Sequence, residues 1–281
     1  MKKGKFLVCF LCTLGIISLV ISLFKLNSNE DFIVVENNTA ASSEDVYDYS
    51  ISGVKSYLNK IYGDGKVKNI TQTSKQINED VANFSQSDLN KNYNNRKGNV
   101  GEKDKATGTC TIVACLGLVT YFSDIDDFDI SDSYYDNYEN IYDACLIKKY
   151  TTLNNGTQKN KVNNCVTESF NVNNSSRKGN TNWWELHNNI RDAVNNNTPI
   201  ILDLKNHSTV VVGLATYEYD CEKEVEVGWW FWEKRKEIQT IHESKEFVII
   251  NEGWSYSGHS IVPLELITDT WDGHQVCWAE K

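Results

Sequence analysis

The stretch Thr107–Asp124, TGTCTIVACLGLVTYFSD, decides how the rest of this 281-residue chain is read. A Gly-Thr turn delivers Cys110 to the first turn of a helix. Ile112, Val113, Ala114, Leu116, Leu118, Val119, Tyr121 and Phe122 then cover nearly every face of it. A helix that is apolar all round is predicted to be a buried central element. At its N-terminus the macrodipole and the unpaired N–H groups favour an anion, so a thiol placed there is a candidate nucleophile. The plainer reading of Cys110 is a small buried hydrophobe, as most free cysteines are.

Upstream, residues 47–62 carry Ile51, Val54, Tyr57, Leu58, Ile61 and Tyr62 at helical spacing, and Gly63-Asp64-Gly65 stops that helix. Residues 66–106 are polar and read as a pro-segment or an extension draped over the core. Downstream, a helix is expected near Tyr134–Ile147, and 150–182 reads as a long polar connection or a short hairpin. Trp183 to Val194 is an amphipathic pattern that Pro199 ends.

The last third changes period. Ile200–Leu204, Thr209–Tyr217, Glu224–Phe231, Glu237–Ile241, Glu246–Ile250, Ile261–Ile267 and Gln275–Trp278 read as strands at short spacing, which implies an antiparallel sheet or half-barrel. Helices first and strands last make the chain α+β, with an N-terminal helical part around the cysteine-bearing helix.

Lys2, Lys3 and Lys5 precede nineteen uncharged residues, Phe6 to Phe24. That is long enough to span a bilayer and longer than a usual signal-peptide core of roughly 7–15 residues. The lysine bias places the N-terminus inside and the remainder outside, so the chain reads as a single-pass membrane protein with its functional domain outside, or a secreted one if the segment is cleaved. The expected organisation is 1–25 as anchor or signal, 26–95 as polar spacer or pro-segment, and 96–281 as the functional domain. A net charge of −10 argues against a nucleic-acid partner. Cys9 and Cys12 lie in the apolar segment, and the other six cysteines show no C-x-x-C and no paired His, so neither a metal nor another cofactor is expected. With Cys110 a free thiol, Cys145–Cys165 and Cys221–Cys277 is one pairing the spacing allows, although sequence does not settle connectivity. Oligomeric state is not legible.

A cysteine nucleophile needs a base within hydrogen-bond reach, and that base needs a group to orient its ring. Among five histidines, His207 is distinguished by its place at a turn between two apolar strands, in DLKNHSTVVVGLATY. Asn251, at the end of the strand EFVIIN, is a candidate orienter, and Trp254 could cover the His–Asn bond. Taken singly, each has a plain alternative: a strand-end His, a turn Asn in N-x-G, and a core Trp.

The turn-and-helix around Cys110, the HSTVVVGLATY strand and VIINEGW resemble, in order, the three signatures of papain-like cysteine peptidases. The streptopain-like and bacteriocin-processing bacterial branches are the most similar. The resemblance covers about 96–281 and implies a papain-like fold, a protein or peptide substrate, Cys110 as nucleophile, His207 as general base and acid, and Asn251 as orienter. Such enzymes usually carry a Gln about six residues before the cysteine to complete the oxyanion hole. Here that place is Asp104, which cannot donate unless protonated, and Asn99 is the nearest upstream amide. Two other functions fit the same Cys/His order: a cell-wall amidase or endopeptidase of the CHAP type, and a binding protein whose site has decayed. The aromatic run Trp229–Trp232 reads first as packing, and second as a substrate- or membrane-facing patch.

Overall fold

The computed structural model describes residues 43–99, 106–228, 235–254, 258–269 and 273–281. The apolar segment 6–24, Asp104 and the aromatic run 229–232 lie outside them. Among the described residues no helix is long and apolar enough to cross a membrane.

The chain is α+β, and among the described residues every strand pairing is antiparallel. Among the described residues six α-helices run in chain order: α1 (Ile51–Tyr62), α2 (Gln86–Lys97), α3 (Cys110–Asp126), α4 (Tyr134–Ile147), α5 (Val162–Asn171) and α6 (Leu186–Asn195). The main sheet contains β1 (Tyr47–Asp48), β2 (Val67–Ile77), β5 (Lys178–Asn182), β6 (Ile200–Leu204), β7 (His207–Val227), β8 (Arg235–Asn251), β9 (Ser260–Pro263) and β10 (Gln275–Glu280). Its order is β1-β9-β8-β7-β6-β10-β5, with β2 pairing along β7 beyond β6. A small hairpin, β3 (Thr151–Thr152) and β4 (Gly156–Thr157), stands apart from it.

The centre of the sheet, β6, β9 and the adjoining parts of β7 and β8, is buried on both faces. One face packs against α3, whose Ile112, Leu116, Leu118 and Val119 are fully buried, together with side chains of α1, α4 and α5. The other face holds Leu202, Leu204, Val211, Val248 and Ile250 against Leu186 and Ile190 of α6. Each such buried aliphatic side chain contributes about 1.5–3 kcal/mol relative to exposure.

The N-terminal segment differs from the expected spacer. Val54, Leu58, Val67, Val81, Leu89 and Tyr93 are buried in the same core as α3, so residues 51–97 are woven into the fold. β2 has mostly exposed side chains and lies in the sheet through its pairing with β7. The 150–182 connection likewise contains more order than its polarity suggests, with α5 burying Val162, Cys165, Val166 and Phe170. The two expected hairpin strands after Glu224 are instead the ends of one long ribbon, β7–β8.

A bulge in that ribbon sets the geometry of the site. Val211 pairs with Ile250 and Gly213 with Ile249, which leaves Val212 as the extra residue. A bulge reverses which side chains face which layer. Above it Ala215, Tyr217 and Tyr219 face the α3 layer; below it Val210 does, while Val211 faces the α6 layer.

The six cysteines from Cys110 to Cys277 are free thiols. A Cys221–Cys277 bridge is ruled out by register. Cys277 pairs with Ile201 and Ile201 with Val210, whereas Cys221 lies eleven residues further along β7, about 35 Å away at the rise of a strand. A disulfide needs its Cα atoms within roughly 7 Å.

Candidate active site

Cys110 opens α3, after the N-cap Thr109. The turn before it is held from two sides. Thr109 Oγ1 donates to Asn90 Oδ1 at 2.8 Å, and Tyr138 OH donates to the same oxygen at 2.7 Å. Thr107 N donates to Leu153 O at 2.7 Å, and Gly108 packs so closely on the β3–β4 hairpin that a Cβ on Gly156 would meet Gly108 O at 2.3 Å. These contacts fix where the thiol emerges.

Cys110 is half-buried as a residue, and its sulfur accepts the Ser208 N–H at 3.3 Å. Behind it lies a buried polar network. Ser208 Oγ donates to Asp203 Oδ1 at 2.7 Å and meets Thr111 Oγ1 at 2.9 Å, and Gln275 Nε2 donates to Asp203 Oδ2 at 3.0 Å. Burial pushes the Cys110 thiol up, with the Asp203 charge adding to it; N–H groups of Ser208 and Thr111 pull it part of the way back. Burial likewise raises Asp203, against its Ser208 and Gln275 hydrogen bonds.

His207 begins β7, the strand whose next N–H reaches the thiol. Its ring is 4% exposed and stacks on Trp254 with centroids 4.7 Å apart. Its Nε2 is buried without a partner. Burial lowers its pKa from 6.5 to about 4, with the nearby Glu252 backbone offsetting part of the shift. Thiol and imidazole are therefore both uncharged at neutral pH. Ser208 faces Thr111 of α3, so strand alternation turns His207 to the face of its partner Leu204.

Asn251 lines the same cleft as Cys110, together with Ala82, Phe84, Val113, Ser208 and Gly253. The expected His207–Asn251 bond is not formed. Asn251 Oδ1 pairs instead with His259 Nδ1 at 2.7 Å, and its Nδ2 donates to Val81 O at 3.0 Å and Ala82 O at 3.4 Å. It thus straps the 81–84 wall to the sheet, and the free space left in the cleft is about 10 Å³, near the lower limit for one water. His259 Nε2 in turn faces Glu79 Oε2 at 3.4 Å.

Trp254 covers His207, as its position predicts, but covers no His–Asn bond. Asn99 is tied to the end of α2, its Nδ2 reaching Asn94 Oδ1 at 3.5 Å. The upstream amide beside the thiol turn is Asn90, which sequence reasoning missed because residues 66–106 carry too few apolar groups to signal a helix. Among the described residues no group of His, Cys, Asp or Glu is arranged to hold a metal ion. Comparison with protein-family models, with curated proteins and with solved structures finds no match.

Proposed function

We propose that the chain is an exported, membrane-anchored thiol peptidase of papain-like architecture, with Cys110 as nucleophile and His207 as general base and acid. One observation carries the reading: Cys110 starts a buried helix with its sulfur on the Ser208 N–H, 3.3 Å away, one residue after the histidine that opens the same strand. In this reading the Cys110 thiolate attacks a peptide carbonyl. N–H groups at the start of α3 and the Asn90 amide meet the oxyanion, as preorganised donors do in acyl transfer. His207 takes the Cys110 proton as the thiolate forms, gives it to the leaving amine, and then activates the water that hydrolyses the thioester.

The resting site needs one rearrangement before it can act. The 81–84 wall must open to admit a peptide, which frees the Asn251 carbonyl from its strap. His207 must leave the Trp254 stack and swing round the end of β7, where β8 has already ended at Asn251. Both motions lie at loop ends, where local opening is least costly.

The test is labelling of Cys110 by an epoxysuccinyl or iodoacetamide probe from pH 5 to 8, beside hydrolysis of a fluorogenic peptide. Activity lost in Cys110→Ser, with labelling that collapses in His207→Ala, is the expected result. A second reading, a binding protein with a decayed site, is favoured by the neutral thiol and imidazole and by the pairing of Asn251 with His259. Slow labelling, equal in both proteins, would put that reading in place of the first. Clearing of cell-wall suspensions would instead point to peptidoglycan as substrate.

A further inference from the structure

We propose that Asp203 acts as a brake on Cys110: through Ser208 it draws the hydroxyl hydrogens beneath the sulfur to itself, and its carboxylate charge opposes the thiolate. The inference concerns the site described above, and of its readouts only peptide cleavage rests on the peptidase reading.

The sheet places the carboxylate. Gln275 of β10, Asp203 of β6 and Ser208 of β7 are register partners, so their side chains share one face. Two residues along, Cys277, Ile201 and Val210 make the next row on that face and belong to the core around α3. Asp203, Ser208, Gln275 and Thr111 are all buried. Each carboxylate oxygen holds one donor, Ser208 Oγ at 2.7 Å on Oδ1 and Gln275 Nε2 at 3.0 Å on Oδ2. Gln275 is fixed in turn, since its Nε2 also donates to Lys159 O at 2.7 Å. The Lys159 ammonium, which donates to Gly273 O at 2.8 Å, supplies the positive charge that acts on Asp203.

The hydrogens can be counted. An ionised carboxylate only accepts, so the single Ser208 hydroxyl hydrogen goes to Asp203. The 2.9 Å contact between Ser208 Oγ and Thr111 Oγ1 then takes its hydrogen from Thr111. Both hydrogens run from Thr111 through Ser208 to Asp203, and neither is left for the sulfur, which keeps the Ser208 N–H at 3.3 Å. One serine thus separates Cys110 from a buried negative charge. A like charge in a poorly solvated site disfavours the thiolate, and burial and Asp203 both push this thiol up. Oxidation and disulfide exchange run through the thiolate, so a thiol held back in this way stays reduced until the cleft opens.

Asp203→Asn reverses the arrangement. The amide oxygen accepts from Gln275, the amide nitrogen donates to Ser208 Oγ, and the Ser208 hydrogen is released towards Thr111 or the sulfur. The charge is lost in the same step.

The test is the pH profile of iodoacetamide labelling of the full-length chain in detergent micelles, read by mass on the peptide that carries Cys110. In the natural protein the midpoint is expected above that of an ordinary thiol, about 8.5; a midpoint at or below it overturns the proposal even if no variant folds. In Asp203→Asn, checked for a cooperative urea transition, the midpoint is expected to fall by about one unit or more. Labelling at pH 7 then rises about threefold or more, because tenfold more thiolate is partly offset by its lower nucleophilicity. A folded variant with an unmoved midpoint overturns the proposal, whatever its stability, since a purely structural role for Asp203 leaves the midpoint in place. Hydrolysis of a fluorogenic peptide separates the two readings. A lowered midpoint without cleavage in either protein keeps the brake and removes the peptidase; cleavage that depends on Cys110, with an unmoved midpoint, does the reverse.

Discussion

Lowering the pH from 7 to 4 is expected to cost the native state about 3 kcal/mol through His207 alone. The ring is 4% exposed, and its pKa falls from 6.5 to about 4 because burial opposes the imidazolium. Below pH 6.5 the unfolded chain takes up a proton that the native ring refuses until about pH 4. Stability therefore rises with pH across that window, is complete above 6.5 and is lost as the pH falls to 4. The difference of about 2.5 units, at 1.36 kcal/mol each, gives the stated magnitude. The assay is the urea midpoint at intervals from pH 4 to 7.5, for the natural protein and for His207→Phe, which keeps a ring on Trp254 and cannot titrate. Asp203 and the other carboxylates titrate in both proteins, so the difference between the curves isolates His207. Parallel curves would refute the reasoning. A natural protein that gains stability towards pH 5 would refute it more sharply, because a raised His207 pKa is what an imidazolium–thiolate pair with Cys110 would produce.

Asp126→Ala is expected to lower stability by about 3 kcal/mol in urea unfolding, because it strips the carboxylate from Arg177, which is 8% exposed, donates to Ala279 O and lies 3.8 Å from the Phe122 ring centroid. An unchanged midpoint would mean that Lys281 and solvent already screen that pair. Asn251→Ala removes the strap on Val81 O and Ala82 O and the bond from His259, with a loss of about 2–3 kcal/mol. The same change is expected to speed iodoacetamide labelling of Cys110, since the 81–84 wall is released; labelling at the natural rate would separate that wall from access to the thiol.

Local pattern determined a good part of this protein. α3 was legible because its apolar residues leave no polar face, and α4 was expected at its observed bounds, Tyr134–Ile147. The antiparallel sheet followed from closely spaced β-branched runs such as Ile200–Leu204 and Phe247–Ile250. The place of Cys110 at a helix start needed only the Gly-Thr turn before it. β2 was not legible because its side chains are mostly exposed and its place comes from hydrogen bonds to β7, a partner some 140 residues away in sequence. α2 was hidden for a related reason, since only Leu89 and Tyr93 are buried along its twelve residues.

The arrangement of the candidate site was decided by tertiary structure. Uniform alternation back from Ala215 and Tyr217 would turn His207 towards α3 and Cys110. The bulge at Val212 cancels that inference, and within the run TVVVG no residue type marks which valine is the extra one. The bulge sits where β6 gives way to β2 along the edge of β7, beside Gly213, whose Cβ would meet Gln76 O at 2.2 Å. The choice between His207 and His259 as the partner of Asn251 was equally non-local, since it depends on how the 81–84 segment crosses the cleft. Periodicity within one segment reports which faces are apolar. Which face meets which partner depends on pairing between segments far apart in the chain, and one extra residue reverses it.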